Sequence, residues 1–159
     1  MNKYLLLLFF LVQNTFSLEL KCDFEEVYQD GSTQQGFLLL ANQKLRYQYH
    51  DINLFTILGN QQNFYIVENN NKEKFQKISP KPKYLEKLVD IAKDYPAIED
   101  LYEEEEFTLM LEKSENGLFL RRIGIISSNI KMSIYLNTCE EQEIENKYFN
   151  FFPFFDYNS

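Results

Sequence analysis

The sequence predicts a mainly β protein: an antiparallel meander whose concave face is covered by one helix. Three observations carry this. Apolar and polar residues alternate with period two, as in Leu45, Tyr47 and Tyr49 against Arg46 and Gln48, which marks a strand with one dry face. Turn-forming residues recur at short intervals, at Asp30-Gly31-Ser32, Asn42-Gln43, Gly59-Asn60, Asn69-Asn70-Asn71, Asn116-Gly117 and Ser127-Ser128-Asn129. One segment, SPKPKYLEKLVDIAKDYP, departs from period two and spaces Leu85, Leu88, Val89 and Ala92 as one stripe of a helix.

At the N-terminus, Lys3 precedes an unbroken apolar run from Tyr4 to Val12 and a polar patch ending in Ser17. The run is about half of the roughly 20 residues that span a bilayer, so residues 1–17 read as a cleaved signal peptide, with a retained anchor as the alternative. Residues 18–159 then form a single domain, long enough to bury a core. Export places Cys22 and Cys139 where thiols oxidise, which predicts a disulfide between them; two free buried thiols are the alternative. A metal site is not expected, since zinc takes three or four ligands and no closely spaced ligand pairs occur.

The first strand pair is GFLLLA followed by KLRYQY, joined at Asn42-Gln43. In the second strand alternation puts Leu45, Tyr47 and Tyr49 on the concave side. In the first every residue is apolar, so either Leu38 and Leu40 or their neighbour Leu39 faces that side. LFTIL and NFYIV form the next pair and contribute Phe64 and Ile66. The helix follows, from about Lys83 to Tyr95, with Pro80 and Pro82 before it and Pro96 after it. Its stripe serves either as a mobile lid or as a fixed part of the core. The run Glu103 to Glu106 reads as a solvated loop. Beyond it Phe107, Leu109 and Leu111, the apolar GLFLRRIGII broken by Arg121 and Arg122, and Met132, Ile134 and Leu136 complete the meander. The concave face is therefore expected to carry Leu38, Leu40, Leu45, Tyr47, Tyr49, Phe64, Ile66, Leu109, Leu111, Met132 and Ile134, with Leu85, Leu88, Val89 and Ala92 above them.

Catalytic chemistry finds little support. The one histidine, His50, adjoins Asp51, and neighbours in a strand point to opposite faces, so the pair makes no triad. The five glycines stand singly, without a phosphate-cradling loop, and the carboxylates lie in exposed runs. A net charge of −8, which becomes −9 when Lys3 leaves with the signal peptide, disfavours nucleic acid and anionic head groups. By contrast 15 phenylalanines and 11 tyrosines exceed what a small core needs, and a half-covered sheet holds a ligand where side chains do not fill it.

The order of these elements resembles the LolA family of periplasmic lipoprotein carriers. GFLLLANQKLRYQY is similar to that family's glycine-led apolar strand and its Arg-aromatic-x-Tyr strand, and FTILGNQQNFYIV to the hairpin that follows. SPKPKYLEKLV looks like the Thr-Pro start of the family's lid helix, and ENKYFNFFPFFDYN its Phe-x-Phe-x-Pro-Pro ending. Gly36 falls on the strand-leading glycine, Arg46 on the strand arginine and Pro153 on the first proline of the ending. The resemblance implies an unclosed antiparallel β half-barrel with a helical lid, monomeric and without cofactor, in which Arg46 is a polar contact between strand and lid. It implies a periplasmic carrier for the acyl chains of lipidated proteins, passing them from an inner-membrane release complex to an outer-membrane receptor. The runner-up is a related half-barrel that binds another lipid or acts as an envelope sensor. Two features depart from the family: Asn42-Gln43 stands where many members have a basic residue and proline, the former implicated in lid closure, and the long N-terminal helix is missing.

Overall fold

The computed structural model describes residues 18–60 and 63–157, so the expected signal peptide lies outside the described residues. The strands are β1 (Leu20–Tyr28), β2 (Thr33–Ala41), β3 (Lys44–Tyr49), β4 (Phe55–Gly59), β5 (Phe64–Glu68) and β6 (Asn71–Lys77), then β7 (Leu101–Glu103), β8 (Phe107–Lys113), β9 (Leu120–Ser127) and β10 (Lys131–Glu141). Between β6 and β7 runs the helix α1, Lys83–Asp94, and a 3-10 turn, Asn146–Phe149, follows β10. The strands form one antiparallel sheet in the order β6-β5-β4-β3-β2-β1-β10-β9-β8-β7. From β1 at the centre of the sheet the strands wind out to one edge, the chain crosses to the other edge through α1, and it winds back to pair β10 with β1. β6 and β7 remain separate edges, which makes the sheet an unclosed half-barrel with α1 as its cover.

Pairing register fixes which side chains share a face. On β1 the inner set is Leu20, Cys22, Phe24, Glu26 and Tyr28; the first four oppose Leu40, Leu38, Gly36 and Gln34 of β2. Leu38 and Leu40 therefore face inward, and Phe37, Leu39 and Ala41 outward. Both faces of β2 are dry because both are covered: the inner one by α1, the outer one by the C-terminal segment, whose Ile144, Tyr148, Phe149 and Tyr157 pack on Phe37, Leu39 and Ala41. That double cover is why GFLLLA lacks alternation. The outer face of β8–β10 has no such cover and is polar, with Arg122 bound to Glu112 at 2.8 Å and to Ser133.

Cys22 and Cys139 are disulfide-bonded across 117 residues of sequence. Period two alone would turn Cys139 away, since Met132, Ile134 and Leu136 are the inward residues of β10. The register between β1 and β10 slips by one residue opposite Cys22, and Thr138 there takes φ 45°. This β-bulge re-aims Cys139 toward its partner, and the Thr138 hydroxyl holds it by donating to Asp23 at 2.7 Å.

The two edge strands were not predicted from the sequence. β6, NKEKFQK, is polar and lysine-rich, and β7 is a three-residue strand leading into the acidic run. Short or charged edges resist pairing with another chain, and the same polarity hides them from an apolar pattern. Asn42 and Gln43 have φ of 50° and 63°, the two-residue hairpin geometry with both centres left-handed. Proline, fixed near −65°, fits at neither centre, so this hairpin excludes the basic-Pro pair.

Candidate functional site: an apolar cavity under the helix

A cavity of about 290 Å³ lies between the inner face and α1, at the lower end of the range for small-ligand sites, roughly 300 Å³ and upward. Its walls are almost entirely aliphatic and aromatic, contributed by β1–β4, α1, β9 and β10 together with Phe119 and Ile130. Of the residues expected on the concave face, Leu38, Leu40, Leu45, Tyr47, Tyr49, Met132 and Ile134 line it, and so do Leu85, Leu88, Val89 and Ala92 of the helix.

The remaining four expected residues lie around the cavity. Leu109 and Leu111 oppose Ile125 and Ile123, which do line it, and are buried in the surrounding core. Phe64 opposes Gly59 and lies with its ring over it, and Ile66 opposes Ile57. These side chains share the inner face without reaching the open space.

Arg46 is a correction. It does not contact the lid; it points to the outer face, fully buried beneath the C-terminal segment. Its Nη1 donates to the carbonyls of Tyr148 and Phe155 at 2.8 and 2.7 Å, and its Nε and Nη2 donate to Gln48 Oε1 at 2.9 and 2.6 Å. The Phe154 ring lies 4.5 Å from the guanidinium. Burial lowers its pKa to about 10, still far above neutral, so Arg46 remains a charged clamp on the tail. The alternation of KLRYQY already required this, since Arg46 lies opposite in parity to Leu45 and Tyr47.

Sequence reasoning missed the polar feature of the cavity. Glu26, at 1% exposure, lines it together with Tyr28, Tyr47, Tyr49 and Tyr84. Tyr47 and Tyr49 donate to Glu26 Oε1 at 2.7 and 3.0 Å, Tyr49 also lies 3.0 Å from Oε2, and Tyr28 donates to Oε2 at 2.5 Å. Burial, then the Glu26 charge, raises the phenol pKa values of Tyr47 and Tyr49 well above the usual tyrosine range. Burial, then the hydrogen bond to Glu26, pushes Tyr28 up to about 12. All three are therefore donors at neutral pH. The signal was present in β1, where Leu20, Cys22, Phe24 and Tyr28 set a parity that includes Glu26.

The helix residue Ile91 was also missed. It is the one fully buried side chain of α1, the rest of the stripe being half-buried. Tyr95, following the helix, donates to the carbonyls of Gly117 and Phe119 at 2.6 and 3.1 Å. At the other end Lys83 meets Glu106 at 2.7 Å with both side chains mostly exposed, a contact worth little in water. The helix is thus fastened at its C-terminal end by Tyr95, while its start rests on half-buried Tyr84 and Leu85 and on exposed ionic contacts. Beside it a second recess of about 430 Å³ opens toward the Asn42-Gln43 hairpin, and Val89 and Ala92 line both spaces.

Among the described residues there is no cluster of metal-ligating side chains and no helix long and apolar enough to cross a membrane. Fold and site together define a class, a half-barrel with an apolar cavity closed by a helix. No protein-family model matches the chain, and no curated protein sequence matches it.

Proposed function

We propose that the protein binds acyl chains of lipidated proteins in the cavity beneath α1 and carries them through the periplasm, as a distant counterpart of the LolA carriers that its sequence resembles. The observation that carries this reading is the cavity itself: an almost wholly apolar space that side chains do not fill, between the inner face and α1. Empty apolar space is costly to maintain, and each methylene placed in it gains about 0.8 kcal/mol. The start of α1 supplies a door, since Tyr84, Leu85 and Leu88 are only half-buried there and a helix of this length has little stability away from the sheet. No reaction is needed; release follows from an acceptor that competes for the chain.

The test is native mass spectrometry of protein exported to a bacterial periplasm, followed by lipid analysis of an organic extract. A bound acylated species that the extraction removes supports the reading, and its identity separates lipoprotein carriage from the binding of another lipid. A protein that is always ligand-free, and that stays so when offered a lipidated peptide, would falsify it.

A further inference from the structure

We infer that the cavity is selective for amphiphiles whose head group is an ammonium, held by the Glu26 carboxylate and the tyrosines around it; this rests on the lipid-binding reading above. An apolar cavity meant only for hydrocarbon gains nothing from a buried carboxylate, which is costly to desolvate. Here the carboxylate is on the wall of that cavity, and among the described residues no lysine, arginine or histidine lines the space with it. Three hydroxyls satisfy part of its hydrogen-bonding capacity and leave its formal negative charge without a cation in the lining.

The surrounding aromatic rings strengthen the preference. Tyr47 and Tyr49 pack edge to face at 5.6 Å and line the cavity beside Glu26, with Phe24 stacked against Tyr47 at 3.9 Å, so aromatic rings and a carboxylate converge on one part of the wall. Aromatic faces with a carboxylate among them are the chemistry that recognises alkylammonium groups. A fatty-acid carboxylate placed at the same point would be repelled in a medium of low dielectric. The rest of the wall, from Leu38 and Leu40 to Ile123 and Ile134, is aliphatic and suits the chain.

The experiment uses N-phenyl-1-naphthylamine, a neutral apolar fluorophore, displaced at pH 7 by dodecylamine, dodecanol and dodecanoate, each below its aggregation limit. The expected ranking is amine first, then alcohol, then acid, with amine and acid separated about tenfold or more. In Glu26→Gln, which keeps the shape and an acceptor oxygen, that separation is expected to fall below about threefold. Equal displacement by amine and acid overturns the inference while leaving the lipid-binding reading intact. So does a preference that survives in Glu26→Gln, since its source would lie elsewhere. No uptake of fluorophore or of any competitor overturns both. Should Glu26→Gln fail to fold by circular dichroism, the native protein decides the matter. Nuclear Overhauser contacts from the Tyr47 and Tyr49 rings to the methylene beside the nitrogen support the inference, and contacts to the terminal methyl instead overturn it.

Discussion

At position 36 a methyl group would lie 2.0 Å from the Gln48 carbonyl oxygen and 2.4 Å from the Phe24 ring. Glycine is required there because Phe24 lies across the strand and stacks on Tyr47, building the aromatic wall behind Glu26. Gly36→Ala is expected to destabilise the fold by about 2–3 kcal/mol, read as a lower urea midpoint at unchanged slope. The tyrosines predict a pH response. The folded-state pKa of Tyr28 is raised to about 12 from an unfolded value of 10.0, and those of Tyr47 and Tyr49 are raised further. Their contribution to stability is fully present below pH 10 and is lost as pH rises through the folded values. Arg46, lowered from 12.5 to about 10, opposes this in the same window. One base against three phenols leaves a net fall. Stability should therefore decline above pH 10, with part of the tyrosinate absorbance rise appearing only as the protein unfolds. Three phenols ionising near pH 10 in the folded protein would contradict the geometry around Glu26.

The helix and the C-terminal segment are the elements that give the sheet two different faces. As a lid, α1 should tolerate Leu88→Asp without loss of the far-ultraviolet strand signal, while uptake of an apolar fluorophore weakens about tenfold; cooperative unfolding of the whole domain would make the helix part of the core. Arg46→Ala should cost about 3 kcal/mol, because two tail carbonyls and Gln48 lose a charged donor, and should raise hydrogen exchange at Ile144 and Tyr148. Much of this organisation was legible in the sequence. Alternation put Leu45, Tyr47, Met132 and Ile134 on the inner face because the opposite face of each strand carries polar residues, Arg46 and Gln48 in β3 and Ser133 in β10. The helix emerged within one residue of its observed end because prolines bracket it and its stripe has the right period. What stayed illegible has physical reasons. GFLLLA is covered on both faces, so parity vanishes. The polar edge strands carry no apolar rhythm. Glu26 sits in the inward parity of β1, but two of the three hydroxyls that satisfy it come from Tyr47 and Tyr49 of β3, so the parity places the carboxylate without showing what holds it. The resemblance misplaced Arg46, whose parity with Gln48 had already turned it outward.

On the scale of the whole molecule, the topology explains both the cavity and the disulfide. A sheet whose first and last strands meet at its centre brings β1 and β10 together late in sequence, and the Cys22–Cys139 bond closes that seam. Replacing both cysteines by alanine is expected to cost about 2–5 kcal/mol and to leave the strand pairing intact, measured as a lower thermal midpoint with unchanged circular dichroism. The crossover from edge β6 to edge β7 must traverse the open side of the half-barrel, so α1 covers the inner face wherever the edges remain apart. Because it covers the face without filling it, apolar space is left between them.

That space as the seat of an acyl chain is the central claim, and photocrosslinking tests it most directly. With p-benzoylphenylalanine placed at Leu85, on the helix side of the cavity, irradiation in the presence of an acylated peptide should give a covalent adduct through the acyl chain. The same group at Tyr135, exposed on the outer face of β10, should give none. Adducts of equal yield at both positions, or at Tyr135 alone, would contradict the account.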